Sequence, residues 1–455
     1  MKTTMLLLLP TFVQSRLKCS INLTSSKKVH TTAWLDGMRG IASVLVFVHH
    51  VTLPSHDVSA AWSAEVPFNS VLRLPLIRFF YNGPFMVAIF FAVSGYALSY
   101  KPAKLMRQGD FETLCSTLSS SVFRRAFRIF LPCIASTSFI VLCVRLWLYE
   151  WTRPVATDPS RLSGGPEFHP ERATTVMEQI RPWLHELTRF VNPFTNDDLK
   201  HYDGHLWTIS TEYTNSIILF VTQLALCRLQ PKFRLLSLLC LIGFAHQIAH
   251  WSLILFYGGF IFAELDIRRQ PTTSRSGAKT RTNLVWSTTY IIVFLCGLYL
   301  GGQPETHLEN APGWNTLIAW IPEPFGGIFI RLRYWTMWGA LLVVWSTSNS
   351  LILQRLFNHK VSQYLGKISF GFYLVHGCAI QTVGYLLFAF VWSITGYTTS
   401  AKKEAGFVLA SIIIFAITIW VADIFTRLVD APTLRFARWL ERKCLMKHCP
   451  GGRGI

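Results

Sequence analysis

From Met38 to Leu428 the chain returns repeatedly to apolar runs, each about long enough to cross a bilayer, which takes roughly 20 such residues. A soluble chain of 455 residues carries more charge than 15% and seldom reaches 51% hydrophobic residues in this arrangement. Only helices that satisfy their own backbone, or closed barrels, span lipid. Runs of this length read as helices, so the expected fold is all-α: a polytopic transmembrane helix bundle of about ten spans.

The spans are read as 38–53, 83–100, 126–149, 205–227, two within 235–265 with a turn near His250 and Trp251, then 284–300, 332–346, 368–394 and 405–428. Lys and Arg cluster between them, at Lys101 to Arg128, Arg228 to Arg234, Arg268 to Arg281, Arg355 to Lys367 and after Arg435. With about ten spans these clusters fall on one side and the acidic stretch Glu150 to Gly204 on the other, so the positive-inside rule places both termini in the cytosol. The net charge of +19 thus encodes orientation and contact with lipid headgroups, and no nucleic-acid partner is expected. The division is a cytosolic segment 1–32, a membrane domain 33–430 and a basic cytosolic tail 431–455. The N-terminal apolar run, broken by Pro10, is short for a signal sequence, and the Asn22-Leu-Thr24 sequon falls on the cytosolic side. The ten cysteines lie mostly in apolar runs, without a CxxC, as small core residues do.

Charged and titratable residues inside such spans are costly and mark interiors or wet cavities. Trp34 to Thr52 carries Asp36, Arg39, His49 and His50. Arg39 and His50 are eleven residues apart, roughly three turns, so they share a face about 16 Å apart along the axis, and His49 is rotated roughly 100° away. Asp36 is within helical reach of Arg39. A His can take a proton from a hydroxyl, which acyl transfer to an alcohol requires. Ser94-Gly95 is a small-residue notch where another helix or a ligand can approach. Arg124, Arg125 and Arg128 form a guanidinium cluster suited to phosphates or lipid headgroups. Glu212, seven residues after His205 on nearly the same face, needs His or Arg as partner. His376 sits in another apolar span. The i, i+4 pairs His201/His205 and His246/His250 lack a third ligand, so no metal is expected.

Together these segments resemble the acyltransferase 3 family of integral membrane O-acyltransferases. The resemblance rests on Leu35-Asp36-Gly-Met-Arg39-Gly with its later His50, Phe91-Ala-Val-Ser94-Gly95-Tyr96, Arg124-Arg125-Ala-Phe-Arg128, Leu206-Trp207-Thr-Ile-Ser-Thr-Glu212-Tyr213 and Ile368-Ser369-Phe-Gly-Phe-Tyr373-Leu-Val-His376. It covers roughly 33–434 and implies transfer of an acyl group, usually acetyl, from acyl-coenzyme A to a hydroxyl of a carbohydrate, lipid or small metabolite. It matches Arg39 and His50 to the family's essential pair and Arg125 and Arg128 to its donor-handling pair. Arg39, His50 and Glu212 are the expected catalytic residues, with Arg124, Arg125 and Arg128 on the donor. Asp36, Ser94, Gly95, Trp207 and His376 are expected to line or support the site. Acyl-CoA enters as a co-substrate, with no permanently bound cofactor. No fused esterase-like domain is evident. The competing reading is a proton-coupled secondary transporter with His50, Glu212 and Arg39 as a relay, but matching broken repeats are not seen.

Single cysteines in a cysteine-free chain test the topology. Labels in 150–204 and 301–330 are expected from outside, and labels in 101–122 and after Pro432 from the cytosol. A cytosolic label at Asp197 would overturn the count.

Overall fold

The computed structural model describes residues 10, 11, 14, 30–56, 58–62, 71–164, 169–193, 199–269, 284–308, 311 and 313–445. The sequon, Lys18, Lys27, Lys28, Asp197, Asp198, Arg275, Lys279, Arg281 and Lys447 lie outside them. Among the described residues there is no β-strand, only two isolated bridges. The fold is a helical membrane bundle, as the apolar runs predict.

The main helices are α1 (Ala33–Ser55), α2 (Gly83–Gln108), α3 (Phe111–Arg145), α4 (Leu148–Ala156), α5 (Val176–Phe190) and α6 (Trp207–Leu226). They continue with α7 (Pro231–Gln247), α8 (Trp251–Arg269), α9 (Leu284–Gly301), α10 (Ile328–Asn349) and α11 (Leu351–Phe357). The last are α12 (Lys360–Ala379), α13 (Tyr385–Thr395), α14 (Ser400–Phe425) and α15 (Ala431–Cys444). Two π-helical turns, Ile380–Gly384 and Thr426–Asp430, join α12 to α13 and α14 to α15 without a break in the helix. The pair read between 235 and 265 is present as α7 and α8. The polar stretch after Glu150 contains α4 and α5, the latter opened by a Thr175/Glu178 capping box.

Four described helices are long and apolar enough to cross a membrane: Gly83–Gln108, Phe111–Arg145, Lys360–Thr395 and Ser400–Cys444. The pair α10 and α11, bent by 106°, makes a fifth if taken as one span. The other apolar helices are shorter or richer in polar residues, and two of them, α7 and α9, still expose large apolar side chains such as Leu236, Phe244, Trp286 and Ile292.

Two close helix pairs organise the bundle. α1 meets α12 where neither has a side chain: a Cβ on Gly40 would fall 2.3 Å from the Gly366 nitrogen, and one on Gly366 would fall 2.2 Å from the Asp36 carbonyl oxygen. Farther along, Phe47 packs on Phe372 with ring centroids 5.9 Å apart, so the two helices run parallel. α2 meets α8 in the same way, with a Cβ on Gly95 reaching 2.3 Å from the Phe256 carbonyl oxygen. The Ser94-Gly95 notch is thus a helix contact on its glycine side. Without a hydrophobic drive between helices in lipid, such backbone approach is what holds a bundle together.

Arg234 departs from its expected place in a basic turn. It is 1% exposed and its Nε lies 2.5 Å from Glu264 Oε1, itself 3% exposed, joining α7 to α8. Proline at the start of α7 turns the chain inward there, and the guanidinium also donates to the Leu229 carbonyl. Removing one partner of a buried pair leaves an uncompensated charge and costs about 3–5 kcal/mol. Glu264→Ala should therefore melt well below the wild type in detergent, and the double change Arg234→Met/Glu264→Leu should recover most of the loss.

Candidate active site

Ten residues separate Gly40 from His50 on α1, and ten separate Gly366 from His376 on α12. Because the helices run parallel from their glycine contact, equal spacing brings the two imidazoles to one height. Their ring centroids are 5.2 Å apart. His205, on the short turn that opens α6, joins them at 4.0 Å from His50 and 5.2 Å from His376. The expected histidine at the end of α1 thus stands in a cluster of three.

Two of the rings have an oxygen close to Nδ1. His205 Nδ1 lies 3.0 Å from Asp203 Oδ1, and His376 Nδ1 donates to the Tyr373 carbonyl at 2.5 Å. His376 Nε2 is buried without a hydrogen-bond partner among the described residues. One nitrogen from each of the three histidines can be chosen so that all lie within 4.8 Å of one another, the one such grouping found among the described residues. Three imidazoles with oxygen acceptors behind two of them are also a donor set that could close on a divalent ion. The i, i+4 pairs take no part as pairs: His246 packs among Phe325, Tyr334 and Trp338, and His201 pairs with Glu186.

His49 is separated from this cluster as helical geometry predicts. Its Nδ1 donates to the Tyr81 carbonyl at 2.8 Å, and its ring lies against Gly83. Its work is to tie α1 to the start of α2.

On the Arg39 side of the cluster is a cavity of about 350 Å³, walled by Asp36, Arg39, Phe90, Ser94, Arg125, Arg128, Thr208, Glu212, Ser369, Tyr373 and Asp430 among others. Residues from five separate motifs meet here. Arg125 Nη2 lies 2.5 Å from Glu212 Oε1, and its Nε donates to Ser216 Oγ at 3.0 Å. Glu212 therefore finds its partner in Arg125, while His205 finds its carboxylate in Asp203. Arg39 and Arg128 form no ion pair among the described residues, so two guanidiniums face the cavity without a carboxylate bound to them. Asp36 is exposed at the cavity wall and no ion pair joins it to Arg39. Arg124 turns away to Glu441 at 3.2 Å and braces α15.

A second cavity, of about 250 Å³, lies beyond the imidazoles and is lined by Lys200, Tyr202, Asp203, His205, Gly377, Cys378 and Gln381 among others. The same two chain segments wall both spaces. Thr208 and Tyr373 face the first cavity; His205 and Gly377, about one turn away on each segment, face the second. Thr208 and Tyr373 hydroxyls meet at 2.7 Å, and the Tyr373 hydroxyl also donates to the His205 carbonyl. Among the described residues His205 is the one cluster histidine that lines either cavity, so the His205 segment and the Thr208–Tyr373 hydroxyl pair separate the two spaces, with His50 and His376 packed against His205.

Several site residues were not singled out from the sequence. Asp203 lies in a polar stretch that reads as a loop. Asp430 reaches the first cavity, and Gln381 the second, from the two π turns, whose extra residue shifts the face a side chain occupies. Arg333 stacks its guanidinium on Trp207 and Trp251 at 5.3 and 5.6 Å. Arg333 is the second residue of the span read as 332–346, and an ionisable side chain inside a span is the signal that could have found it.

The family model described as an acyltransferase domain matches residues 32–427. The chain is 30% identical over 443 residues to "O-acetyltransferase PaAT-1" of Phomopsis amygdali, covering 92% of this chain and 86% of that protein. It is 27% identical to "Acyltransferase clz18" of Cochliobolus lunatus, covering 91% and 97%, and 25% identical to "Acyltransferase R4" of a Phoma species, covering 90% and 96%. No solved structure matches the chain. The motifs that build the two cavities all fall within the matched residues, except Asp430, and the chain belongs to the acyltransferase 3 family of membrane acyltransferases.

Proposed function

We propose that the protein is a multi-pass membrane O-acyltransferase that moves an acetyl group from acetyl-coenzyme A to a hydroxyl of a small secondary metabolite, with a carbohydrate or lipid as the other acceptor classes. The observation that carries the reading is the first cavity, which runs from Arg39, Arg125 and Arg128 to Thr208 and Tyr373, the latter bonded to the carbonyl of His205 in the imidazole cluster. The name of the Phomopsis amygdali relative supports acetyl as the group and oxygen as its destination. Both termini face the cytosol in this reading, so the donor arrives from the side where Lys and Arg concentrate.

The chemistry follows from the parts. A thioester is already activated, so the protein supplies binding, orientation and a base. Arg39 and Arg128 meet the donor's anionic groups, and Glu212 holds Arg125 in place beside them. The narrow pantetheine arm and its acyl end extend along the cavity toward Thr208 and Tyr373. His50 is where the proton of the attacking hydroxyl ends up during the attack. No Ser or Cys is presented with a base as an activated nucleophile among the described residues, which favours direct transfer. Purified protein should consume acetyl-CoA only when an acceptor is supplied, and metabolite extracts of cells with and without the protein should differ by an acetyl group on one compound.

Arg128→Ala should raise the donor KM about 10-fold or more, since a charge-assisted contact is worth about 1.5–3 kcal/mol. Arg125→Ala should do the same and also lower stability, because Glu212 loses its partner. Donor KM values equal to wild type in folded variants would make the cluster a topology signal alone.

His50→Ala should keep expression and donor binding and lose about 10²–10⁴-fold in turnover, the usual size of a general-base contribution. His49→Ala should cost far less turnover and show its effect in thermal stability. A larger activity loss at His49 than at His50 would rule the assignment out.

A further inference from the structure

The second cavity has no task in the chemistry above, yet it is built as a site. His205 forms part of its wall, and its Nδ1 is 3.0 Å from the Asp203 carboxylate, whose side chain is 4% exposed. The same Asp203 oxygen accepts the His205 backbone N–H at 3.1 Å, which fixes the carboxylate before it meets the ring. A carboxylate this close to Nδ1 favours the ring with its proton on that nitrogen, which leaves Nε2 as the acceptor. The seat is tight. A Cβ on Gly377 would fall 2.8 Å from His205 Nδ1, so the Asp203–His205 pair rests against bare backbone of α12. On the other side of the His205 ring, His50 stands at 4.0 Å.

We propose that this second cavity receives the acceptor alcohol, and that His205, oriented by Asp203, takes the hydroxyl proton and passes it to His50. The proposal rests on the acyl-transfer reading and gives it a direction: donor from one cavity, acceptor from the other, with reaction at the partition. The hydroxyl O–H bond breaks as its oxygen attacks the thioester carbonyl, and the proton goes to His205 and on to His50. The tetrahedral intermediate then expels the thiolate by breaking the C–S bond, and the His50 imidazolium protonates that sulfur. An ester and a thiol result, with no proton or electron left over. The wall chemistry also defines the acceptor class. Lys200, Tyr202, Asp203 and Gln381 make this wall polar, which suits an acceptor with polar groups beside the oxygen that is acylated. A fatty alcohol would displace water from this polar wall without replacing the water's hydrogen bonds, and such mismatches discriminate strongly.

The full chain in nanodiscs is assayed with acetyl-CoA and two probe alcohols, glycerol and 1-octanol, by thiol release and by mass spectrometry of the ester. Glycerol is expected to be acetylated in preference to octanol. Asp203→Asn should lower kcat about 10–100-fold with the acetyl-CoA KM unchanged, and Asp203→Glu should recover part of it. Gln381→Trp, which fills the cavity from its half-buried wall, should raise the glycerol KM about 10-fold or more without moving acetyl-CoA affinity. An active wild type whose Gln381→Trp keeps its glycerol KM, or whose Asp203→Asn keeps its kcat, overturns the acceptor assignment alone. So does a divalent metal that copurifies at one per chain and whose removal abolishes turnover, which would make the three histidines ligands. A wild type that acetylates neither alcohol overturns the acyl-CoA reading and this proposal with it.

Discussion

Everything at the centre of this molecule depends on how closely α1 and α12 approach. Gly40 and Gly366 let backbone touch backbone, and a single methyl group at either would overlap the opposite helix. From that contact two parallel helices rise together, and the equal distance to His50 and His376 brings the two imidazoles to one height. Lipid gives apolar side chains no reason to prefer each other over acyl chains, so close backbone approach and internal polar contacts must supply the order. The α2–α8 contact at Gly95 repeats the device on the opposite wall of the first cavity.

The buried charges divide by whether the fold has already answered them. Arg234 and Glu264 answer each other and belong to architecture. Arg125 and Glu212 also answer each other, but on the cavity wall, where the pair sets the position of a guanidinium that a ligand can approach. Arg39 and Arg128 face the same cavity without such a partner among the described residues. Asp36 and Asp430 line that cavity too, so its charges balance on the wall without closing into further ion pairs among the described residues, and the two guanidiniums keep their donors turned to the space between. Arg333, stacked on Trp207 and Trp251, shows a third solution, in which aromatic faces take the place of a carboxylate.

The two π turns have a related part. Each inserts one residue's worth of rotation into a long helix without ending it, and each delivers a polar side chain to a cavity: Gln381 to one, Asp430 to the other. A regular helix would turn those side chains elsewhere. Such turns recur at functional sites for this reason.

Much was legible in one dimension. Apolar runs determine a helical membrane bundle because lipid tolerates no unsatisfied backbone. Helical periodicity alone separates His49 from His50 and joins His50 to the face of Arg39, and the motifs around Arg125, Glu212 and His376 name most of the walls. What periodicity does not carry is partnership between helices. Whether Glu212 meets His205 or Arg125, whether Arg234 marks a surface or fills an interior, and whether three histidines 155 and 171 residues apart share one point are decided by which helices touch and at what height. Asp203 was hidden for the same reason: its neighbours in sequence are polar, and only the tertiary fold closes over it. Local sequence sets the face of each helix, while the glycine contacts between helices set which faces meet.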